Sequence, residues 1–145
     1  MTEHKFSFDG VMLGDTLPPL VKEAVSRIQL VRYAGASGDF NPLHTVTAIG
    51  EKAGFGGVIA HGMLIMGFAA EAIANWVPNR CLRRFGVRFV GPTRPGDVIT
   101  ITGRVAAKRI DNGENLISCE VTATDQNGEI KLAGSFDAAL PAGRA

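Results

Sequence analysis

The sequence predicts an α+β fold in which one antiparallel β-sheet curls around a single long apolar helix. Apolar residues with helical spacing cover residues 63–77, and a helix that is apolar on most faces is expected to be buried. Over residues 81–140 the apolar positions alternate with period two, as in strands. Asp111-Asn112-Gly113 and Gln126-Asn127-Gly128 are turn sequences that divide this part into antiparallel strands. One sheet around one helix is a hot-dog arrangement, and we expect a single hot-dog unit over residues 1–145.

The chain before the central helix is predicted to contribute an edge strand. Residues 6–25 alternate loosely and contain Gly14-Asp15 and Pro18-Pro19. Proline has no backbone N–H to donate to a ladder, so it is tolerated mainly at sheet edges. We therefore expect a lead-in followed by one edge strand over Val21–Val25.

A helix is predicted to begin at Ser26. Ser26 and Gln29 form a Ser-x-x-Gln capping box, in which side chains bind the free N–H groups of the first turn. The glycine-containing segment 35–38 is expected to end this helix, and a second short helix is expected within residues 45–53. The apolar positions of the first helix follow at helical spacing: Ile28, Val31, and Tyr33 or Ala34.

The second half of the chain is predicted to form a meander of four antiparallel strands. Small residues in the middle of the central helix, Gly67, Ala69 and Ala70, are expected to let this sheet wrap closely around it. The edges of such a sheet stay open unless they pair with another chain, so we expect a homodimer, with a heterodimer as the alternative. The four predicted strands cover residues 82–89, 98–108, 115–125 and 129–140.

Charge and hydropathy exclude several classes of partner. The formal net charge is +1, which gives no bulk attraction to nucleic acid or to an anionic membrane. The longest apolar stretch, Gly57–Val77, is interrupted by His61, Glu71 and Asn75 and is too polar to span a bilayer. The first residues lack the apolar core of a signal peptide. We therefore expect a cytoplasmic protein.

Cysteine and histidine spacing does not predict a metal site. Cys81 and Cys119 are far apart and form no Cys-x-x-Cys pair, so we expect free thiols in a reducing compartment. His4, His44 and His61 have no spacing typical of metal ligands. No metal is expected.

Residues 33–44 contain the first candidate for chemistry. Asp39 and His44, two side chains that exchange protons, lie five positions apart. Pro42 disfavours the helical conformation of the residue before it, so the pair lies on two sides of a bend rather than on one helix. A carboxylate and an imidazole that converge across a bend can hold and activate a water. Glycine, asparagine, aspartate and proline are also ordinary turn residues, so the spacing alone also fits a plain surface turn.

Gly62 lies where the central helix begins and is the second candidate. The first N–H groups of a helix have no partner inside the helix and carry partial positive charge, so they can stabilise the oxyanion that develops on a thioester carbonyl. Glycine also permits close approach of a substrate. The alternative is that Gly56, Gly57 and Gly62 only allow tight packing. The neighbouring His61 is interpreted as a helix-start or core residue rather than a second base.

Three segments resemble those of the MaoC-like family of (R)-specific enoyl-thioester hydratases and dehydratases. Residues 33–44, with Asp-x-Asn-Pro-x-His at their end, resemble the family signature. Residues 59–63, Ile-Ala-His-Gly-Met, resemble a second family segment. Val87-Arg88-Phe89 and Arg94-Pro95-Gly96-Asp97 resemble a third. The similarity extends from about residue 11 to about residue 139.

The resemblance implies a hot-dog fold and a hydro-lyase that needs no cofactor. The implied reaction is the reversible syn hydration of trans-2-enoyl-CoA to (3R)-hydroxyacyl-CoA. In this assignment His44 is the base toward the water, and Asp39 orients that water and relays the second proton. The Gly62 N–H polarises the thioester carbonyl. Asn41 supports the bend that places the pair.

One position departs from the resemblance, and one group of residues has two interpretations. Some relatives carry a serine on the central helix near the catalytic aspartate, and Ala70 stands at that position here. Four arginines near the predicted strands are candidates for binding the phosphates of coenzyme A or the pantetheine arm of an acyl carrier protein. The alternative is a solvated strand face. These arginines are Arg83, Arg84, Arg88 and Arg94.

Two other functions stay open alongside the acyl-CoA hydratase. One is a (3R)-hydroxyacyl-ACP dehydratase subunit of fatty-acid synthesis, which would act on an acyl carrier protein thioester. The other is a non-catalytic hot-dog protein that binds acyl thioesters, although the presence of both Asp39 and His44 argues against it. A thioesterase on the same fold ranks below these, because the Asp-x-Asn-Pro-x-His bend resembles the hydratase pattern.

Overall fold

The computed structural model describes residues 7–143, which form a five-stranded antiparallel sheet and a long central helix. The predicted hot-dog fold is confirmed. The strands are β1 (Thr16–Val21), β2 (Leu82–Phe89), β3 (Thr100–Asp111), β4 (Glu114–Thr124) and β5 (Ile130–Ala139). The α-helices are α1 (Arg27–Ser37), α2 (Thr47–Lys52) and α3 (Gly62–Trp76), and 3-10 turns cover Pro42–His44 and Asn79–Cys81. No helix within residues 7–143 is long and apolar enough to cross a membrane.

The order of strands in the sheet is β1-β3-β4-β5-β2. β3, β4 and β5 form the predicted meander, but β2 does not adjoin β3. It pairs with β5, and Val87 lies opposite Gly134. The prediction of a four-stranded meander was therefore wrong for its first strand. The connection over residues 90–99 carries the chain from the edge strand β2 past β5 and β4 to β3, which lies beside the opposite edge strand β1. No local pattern in the sequence distinguishes this crossover from a turn.

The predicted edge strand exists at a different place in the chain. β1 pairs with β3 at one edge of the sheet and covers Thr16–Val21 rather than Val21–Val25. Its pairing register shifts between Leu17 and Leu20, which is where Pro18 and Pro19 lie. Because these prolines have no N–H to donate, the ladder skips them. The strand passes through the prolines instead of starting after them.

The helix α1 has the predicted ends, but of its predicted apolar positions Ala34 is buried while Ile28 and Val31 are not. The Ser26 hydroxyl accepts the Gln29 N–H at 3.1 Å, and Gly38 closes the helix in the left-handed conformation with φ of 73°. The side chains that pack inward are Leu30 and Ala34, while Ile28 and Val31 are exposed. Both sets have helical spacing, so periodicity alone does not choose between them.

The sheet packs on one face of α3. The Trp76 ring stacks on Phe136 at a centroid distance of 6.1 Å, and its Nε1–H donates to the Pro18 carbonyl at 2.7 Å. A Cβ atom added to Gly103 on β3 would lie 2.7 Å from the Trp76 ring, so this close approach requires glycine. Seven side chains of α3 are buried: Leu64, Ile65, Phe68, Ala69, Ala72, Ile73 and Trp76.

Only one of the three small residues of α3 that were predicted to pack against the sheet does so. Ala69 faces the sheet, but Gly67 and Ala70 are exposed on the opposite face of the helix. Close packing is achieved instead by glycines of the sheet. Gly103 makes room for the C-terminal end of the helix, and a Cβ atom on Gly134 would overlap the Gly86 carbonyl of the neighbouring strand. The prediction that Gly67 and Ala70 contact the sheet was wrong.

Candidate active site

The bend between α1 and α2 is held by local hydrogen bonds. The Asn41 N–H donates to Asp39 Oδ1 at 3.2 Å, and Asn41 Oδ1 accepts the Leu43 N–H at 3.0 Å. Each bond joins residues two positions apart, as in an Asx turn. Pro42 then opens the 3-10 turn that ends at His44. This places Asp39 and His44 on two sides of a bend, as the sequence predicted, with Asn41 between them.

The two proton-handling side chains face each other across this bend. Asp39 Oδ2 lies 3.8 Å from His44 Nε2; the Asp39 side chain is 52% exposed and that of His44 is 11% exposed. This separation is longer than a direct hydrogen bond. A water about 2.8 Å from each of the two atoms would bridge Asp39 and His44. His44 Nδ1 lies 2.8 Å from the Ile59 carbonyl. A carbonyl can only accept, so Nδ1 carries the proton, and the lone pair of neutral His44 is on Nε2, toward Asp39.

His61 lies directly against this pair. Its ring stacks on that of His44 with centroids 3.8 Å apart and planes 24° apart, and Tyr33 meets it edge-on at 4.8 Å. His61 Nε2 lies 3.1 Å from the Asp39 carbonyl oxygen, and the residue is only 1% exposed. Sequence reasoning treated His61 as a helix-start or core residue and missed this contact with both site residues. The available signal was its place immediately before Gly62.

Gly62 begins α3 at the wall of a cavity of ≈ 350 Å³ that His44 also lines. Within residues 7–143 no acceptor takes the Gly62 N–H, as expected for the first residue of a helix. A Cβ atom on Gly62 would lie 3.1 Å from the ring of Phe89, which lines the same cavity. Ile59, Ile65 and Phe89 make much of this wall apolar. A ligand in the cavity can therefore meet His44 and the free Gly62 N–H together.

A buried ion pair lies at the cavity wall. Lys131 lines the cavity, and its Nζ is 3.2 Å from the carboxylate of Asp125. Burial disfavours the charged form of Lys131, but hydrogen bonds with Asp125 and Glu129 outweigh it and raise the pKa of the ammonium. Burial likewise opposes ionisation of Asp125, but backbone N–H groups of Glu129 and Asn127, together with Lys131, hold the pKa of that carboxyl below its usual value. The Lys131 ammonium is therefore paired with the carboxylates of Asp125 and Glu129.

Asp39, His44 and His61 form a group of potential metal ligands that the sequence spacing did not reveal. One ligand atom from each lies within 4.8 Å of the others. His44 Nδ1 and His61 Nε2 are taken by carbonyl oxygens, which leaves His44 Nε2 and His61 Nδ1. Imidazole lone pairs lie in the ring plane, and the two planes are nearly parallel and stacked. The free lone pairs thus do not converge on one ion at the ~2.0–2.1 Å that Zn–N bonds require.

The four arginines differ in their surroundings. Arg83 binds Glu114 through both Nε and an Nη, with a shortest distance of 2.7 Å, and Arg94 Nε donates to the Phe55 carbonyl at 3.2 Å. Hydrogen bonding with Glu114 raises the pKa of Arg83. Arg84 and Arg88 are exposed on β2 and have no ion pair with any residue in 7–143. Of the four arginines, Arg84 and Arg88 are therefore the two whose guanidinium groups have neither an ion pair nor a hydrogen bond within the described residues.

The comparisons with known proteins place this chain in a family. Residues 10–127 match the MaoC-like domain, and the chain belongs to that family. The family predicted from the sequence is confirmed.

Individual relatives carry hydratase and dehydratase names. The chain is 27% identical over 126 residues to the (R)-specific enoyl-CoA hydratase of Rhodospirillum rubrum, a match that covers 83% of each chain. It is 34% identical over 91 residues to probable dehydratase NIT22 of Ajellomyces capsulatus, which covers 58% of this chain and 24% of that protein. The chain thus spans about a quarter of that longer relative. Hydratases and dehydratases of this kind are hydro-lyases, the class of enzyme expected from the sequence.

A solved structure shows the same fold over nearly the whole chain. The unliganded R-hydratase PhaJ1 from Pseudomonas aeruginosa superposes with a TM-score of 0.81 over 95% of this chain and 87% of that one, at 24% sequence identity. This similarity supports the hot-dog assignment that the strand order already indicates.

Proposed function

We propose that this protein catalyses the reversible hydration of a trans-2-enoyl thioester to a (3R)-hydroxyacyl thioester. One observation carries the proposal: His44, whose Nε2 lies 3.8 Å from Asp39 Oδ2, and Gly62, whose N–H is unpaired within residues 7–143, line one largely apolar cavity. Water addition to an enoyl thioester needs a group that removes a proton from water and a group that stabilises negative charge on the carbonyl oxygen. The cavity offers both.

The water step is assigned to His44 and Asp39. A water held between Asp39 Oδ2 and His44 Nε2, which are 3.8 Å apart, is oriented by the carboxylate and gives a proton to the imidazole lone pair. Its oxygen bonds to C3 of the substrate, and the proton that His44 took from the water passes through Asp39 to C2 on the same face, which returns His44 to its neutral form. The reverse sequence removes water from the hydroxyacyl thioester. The hydrogen bond to the Ile59 carbonyl holds a proton on His44 Nδ1, so Nε2 is the nitrogen that takes up and releases the reacting proton.

The carbonyl step is assigned to the backbone of Gly62. Addition at C3 places negative charge on the thioester oxygen, and a donor aimed at that oxygen stabilises the enolate more than the substrate. The Gly62 N–H is the first of α3, where the helix dipole adds positive potential. Asn41 supports the site indirectly, since its side chain and its N–H hold the bend that carries Asp39.

Consumption of crotonyl-CoA by the purified protein tests this proposal. We expect loss of the enoyl absorbance with wild type, and a fall in kcat of about 10²–10⁴-fold in Asp39→Asn and in His44→Ala. Arg104→Gln, which breaks only an exposed pair with Glu120, is the control. Equal turnover by all four proteins would reject the assigned mechanism, and an (S) product would reject the assigned stereochemistry.

The thioester carrier and the alternative functions are separated by the choice of substrate. Turnover of acyl carrier protein thioesters without turnover of CoA thioesters would favour the dehydratase subunit. Tight acyl-CoA binding without turnover at any chain length would favour the non-catalytic binder, and release of free thiol would reveal a thioesterase. Arg84 and Arg88 are the candidates for contact with carrier phosphates, because their guanidinium groups are uncommitted within the described chain.

We infer further that the working form is a dimer. β2 is the last strand of the sheet, so one of its edges is unpaired within residues 7–143. Phe89 and Val90, at its end, are 53% and 58% exposed and line the cavity. Light scattering of the purified chain should give twice the monomer mass. A fully active monomer would reject this inference, and a requirement for a second, different chain would replace the homodimer with a heterodimer.

A further inference from the structure

We propose that His61 is a positioning residue for the Asp39–His44 pair, a role that rests on the function proposed above. His61 touches both members of the pair, through different parts of its ring. Its Nε2 lies 3.1 Å from the Asp39 carbonyl oxygen, and its face stacks on the His44 ring at 3.8 Å. It does not face the cavity that His44 and Gly62 line, so it acts through its neighbours rather than on substrate.

The hydrogen bond to Asp39 is directional. A carbonyl oxygen can only accept, so His61 Nε2 is the donor and carries the ring proton. His61 Nδ1 is buried and has no hydrogen-bond partner within residues 7–143. The ring therefore serves the site through a single N–H, in addition to its face. Substitutions that keep or remove this N–H can separate the contribution of the hydrogen bond to Asp39 from that of the stacking on His44.

The bond matters because Asp39 has few other ties to the body of the protein. Within residues 7–143 its N–H donates only to the Ser37 hydroxyl at 3.2 Å, and its Oδ1 accepts the Asn41 N–H at 3.2 Å. Both of these partners are two positions away and move with the bend. Within the described chain, the His61 bond spans 22 positions and connects the Asp39 backbone to the start of α3.

The stacking of His61 on His44 fixes the orientation of the His44 ring. The plane of His44 is set on one side by the hydrogen bond to the Ile59 carbonyl and on its face by His61. His61 is itself held by Tyr33, which meets it edge-on with planes 63° apart. Since His61 is the N-cap residue of α3, it ties the pair to the same helix start that presents the Gly62 N–H. The Asp39–His44 pair and the Gly62 N–H are therefore both held in place by the start of α3.

The test compares three substitutions at position 61. Glutamine places its amide nitrogen near the position of His Nε2 and can donate to the Asp39 carbonyl, whereas asparagine places its amide nitrogen near Nδ1 and cannot reach it. Phenylalanine keeps a stacked ring but has no donor. Because a misplacement of about 1 Å can cost about 10²-fold in rate, we expect kcat to fall 10- to 100-fold in His61→Asn and in His61→Phe. His61→Gln should retain at least about ten times the kcat of His61→Asn.

Steady-state kinetics with crotonyl-CoA gives the first readout. A loss confined to kcat, with KM within about threefold of wild type, is the expected signature, because positioning acts on the chemical step. Equal kcat in His61→Gln and His61→Asn overturns the proposal, as does a rise in KM with kcat unchanged. If His61→Asn does not fold, the same comparison is made between His61→Gln and His61→Phe, with equality again overturning it.

Amide hydrogen exchange gives a readout that does not depend on turnover. If the bend loses its anchor, the N–H groups of Asn41 and Leu43, which bond to Asp39 and Asn41, should exchange faster in His61→Phe than in His61→Gln. Equal exchange overturns the positioning role. If wild type hydrates no enoyl thioester, the proposed function fails, and the exchange experiment still decides whether His61 anchors the bend.

Discussion

The ammonium of Lys131 lies 3.2 Å from the carboxylate of Asp125, and the two side chains are only 4% and 3% exposed. Asp125 also accepts the N–H groups of Asn127 and Glu129 at 2.9 Å and 3.0 Å. The pair therefore joins the turn between β4 and β5 to the wall of the cavity. Removing one member of a buried pair leaves the other charge without compensation, which costs more than the loss of an exposed pair.

Replacement of Lys131 by methionine should destabilise the protein. We expect Lys131→Met to lower Tm by roughly 5–10 °C, because the Asp125 charge would stay buried without its cation. Lys22→Met is the matched control, since it removes the more exposed pair with Glu71 and should shift Tm by no more than about 2 °C. Equal shifts in the two variants, measured by thermal unfolding at pH 7, would contradict the importance of the buried pair.

The contribution of this pair should depend on pH in a defined window. The pKa of Asp125 is lowered by folding, so its contribution is present above the unfolded pKa of about 3.9 and is lost as pH falls through the folded pKa. The pKa of Lys131 is raised, so its contribution is present below about 10.4 and is lost as pH rises through the folded pKa. The Tm difference between wild type and Lys131→Met should therefore be constant from about pH 5 to 9 and shrink below about pH 4. A difference that varies between pH 5 and 9 would contradict this assignment.

Gly103 should be intolerant of a methyl group. A Cβ atom there would lie 2.7 Å from the Trp76 ring and 3.0 Å from Leu17, so Gly103→Ala should destabilise by roughly 1–3 kcal/mol. Gly35→Ala is the control, because Gly35 lies within α1 and nothing is within 4 Å of its added Cβ. That change should stabilise by roughly 0.5–1 kcal/mol. Urea unfolding of both variants checks the prediction, which fails if their effects have the same sign.

Gly62 offers a way to remove one backbone donor. Proline is tolerated at the first position of a helix, and His61 already has φ of −59° and ψ of 132°, as a residue before proline should. Gly62→Pro removes the N–H, whereas Gly62→Ala keeps it and adds the same Cβ near Phe89. If the N–H stabilises an enolate, kcat/KM for crotonyl-CoA should fall about 10²–10³-fold from the alanine to the proline variant. Equal activity of the two variants would assign Gly62 a packing role only.

The Cys119 thiol should be inert in the folded protein. Burial, aided by the negative charge of Asp137, raises the pKa of Cys119 to about 12. Because the thiolate is the reactive form, Cys119 in a Cys81→Ala background should react with a disulfide reagent at pH 8 at least about 100-fold more slowly than after denaturation. The denatured protein gives the reference rate. Fast reaction of the native protein would show that the strand pairing around Cys119 opens readily.

Local interactions explain which features could be predicted from the sequence. The Ser26 cap depends on a residue three positions away. The Asn112-Gly113 turn has positive φ at both residues, 48° and 77°, as its sequence predicts. The Asp39–Asn41–His44 bend is likewise held by bonds between residues two positions apart. The helix α3 and the period-two strands could be predicted because the apolar pattern along each single element is enough to identify it. The resemblance to the MaoC-like family likewise depended on short continuous segments of sequence.

Partners distant in the sequence decided the rest. The place of β2 beside β5, the inward face of α1 and the pairing of β1 through two prolines follow from which surfaces meet, and several arrangements satisfy the same periodicity. His61 became part of the candidate site because it meets Asp39 across 22 positions. The sequence by itself determined the elements, the bend and the candidate proton-handling pair. Only the tertiary structure decided what lies against that pair, because contacts between separate elements are set by packing of the whole core.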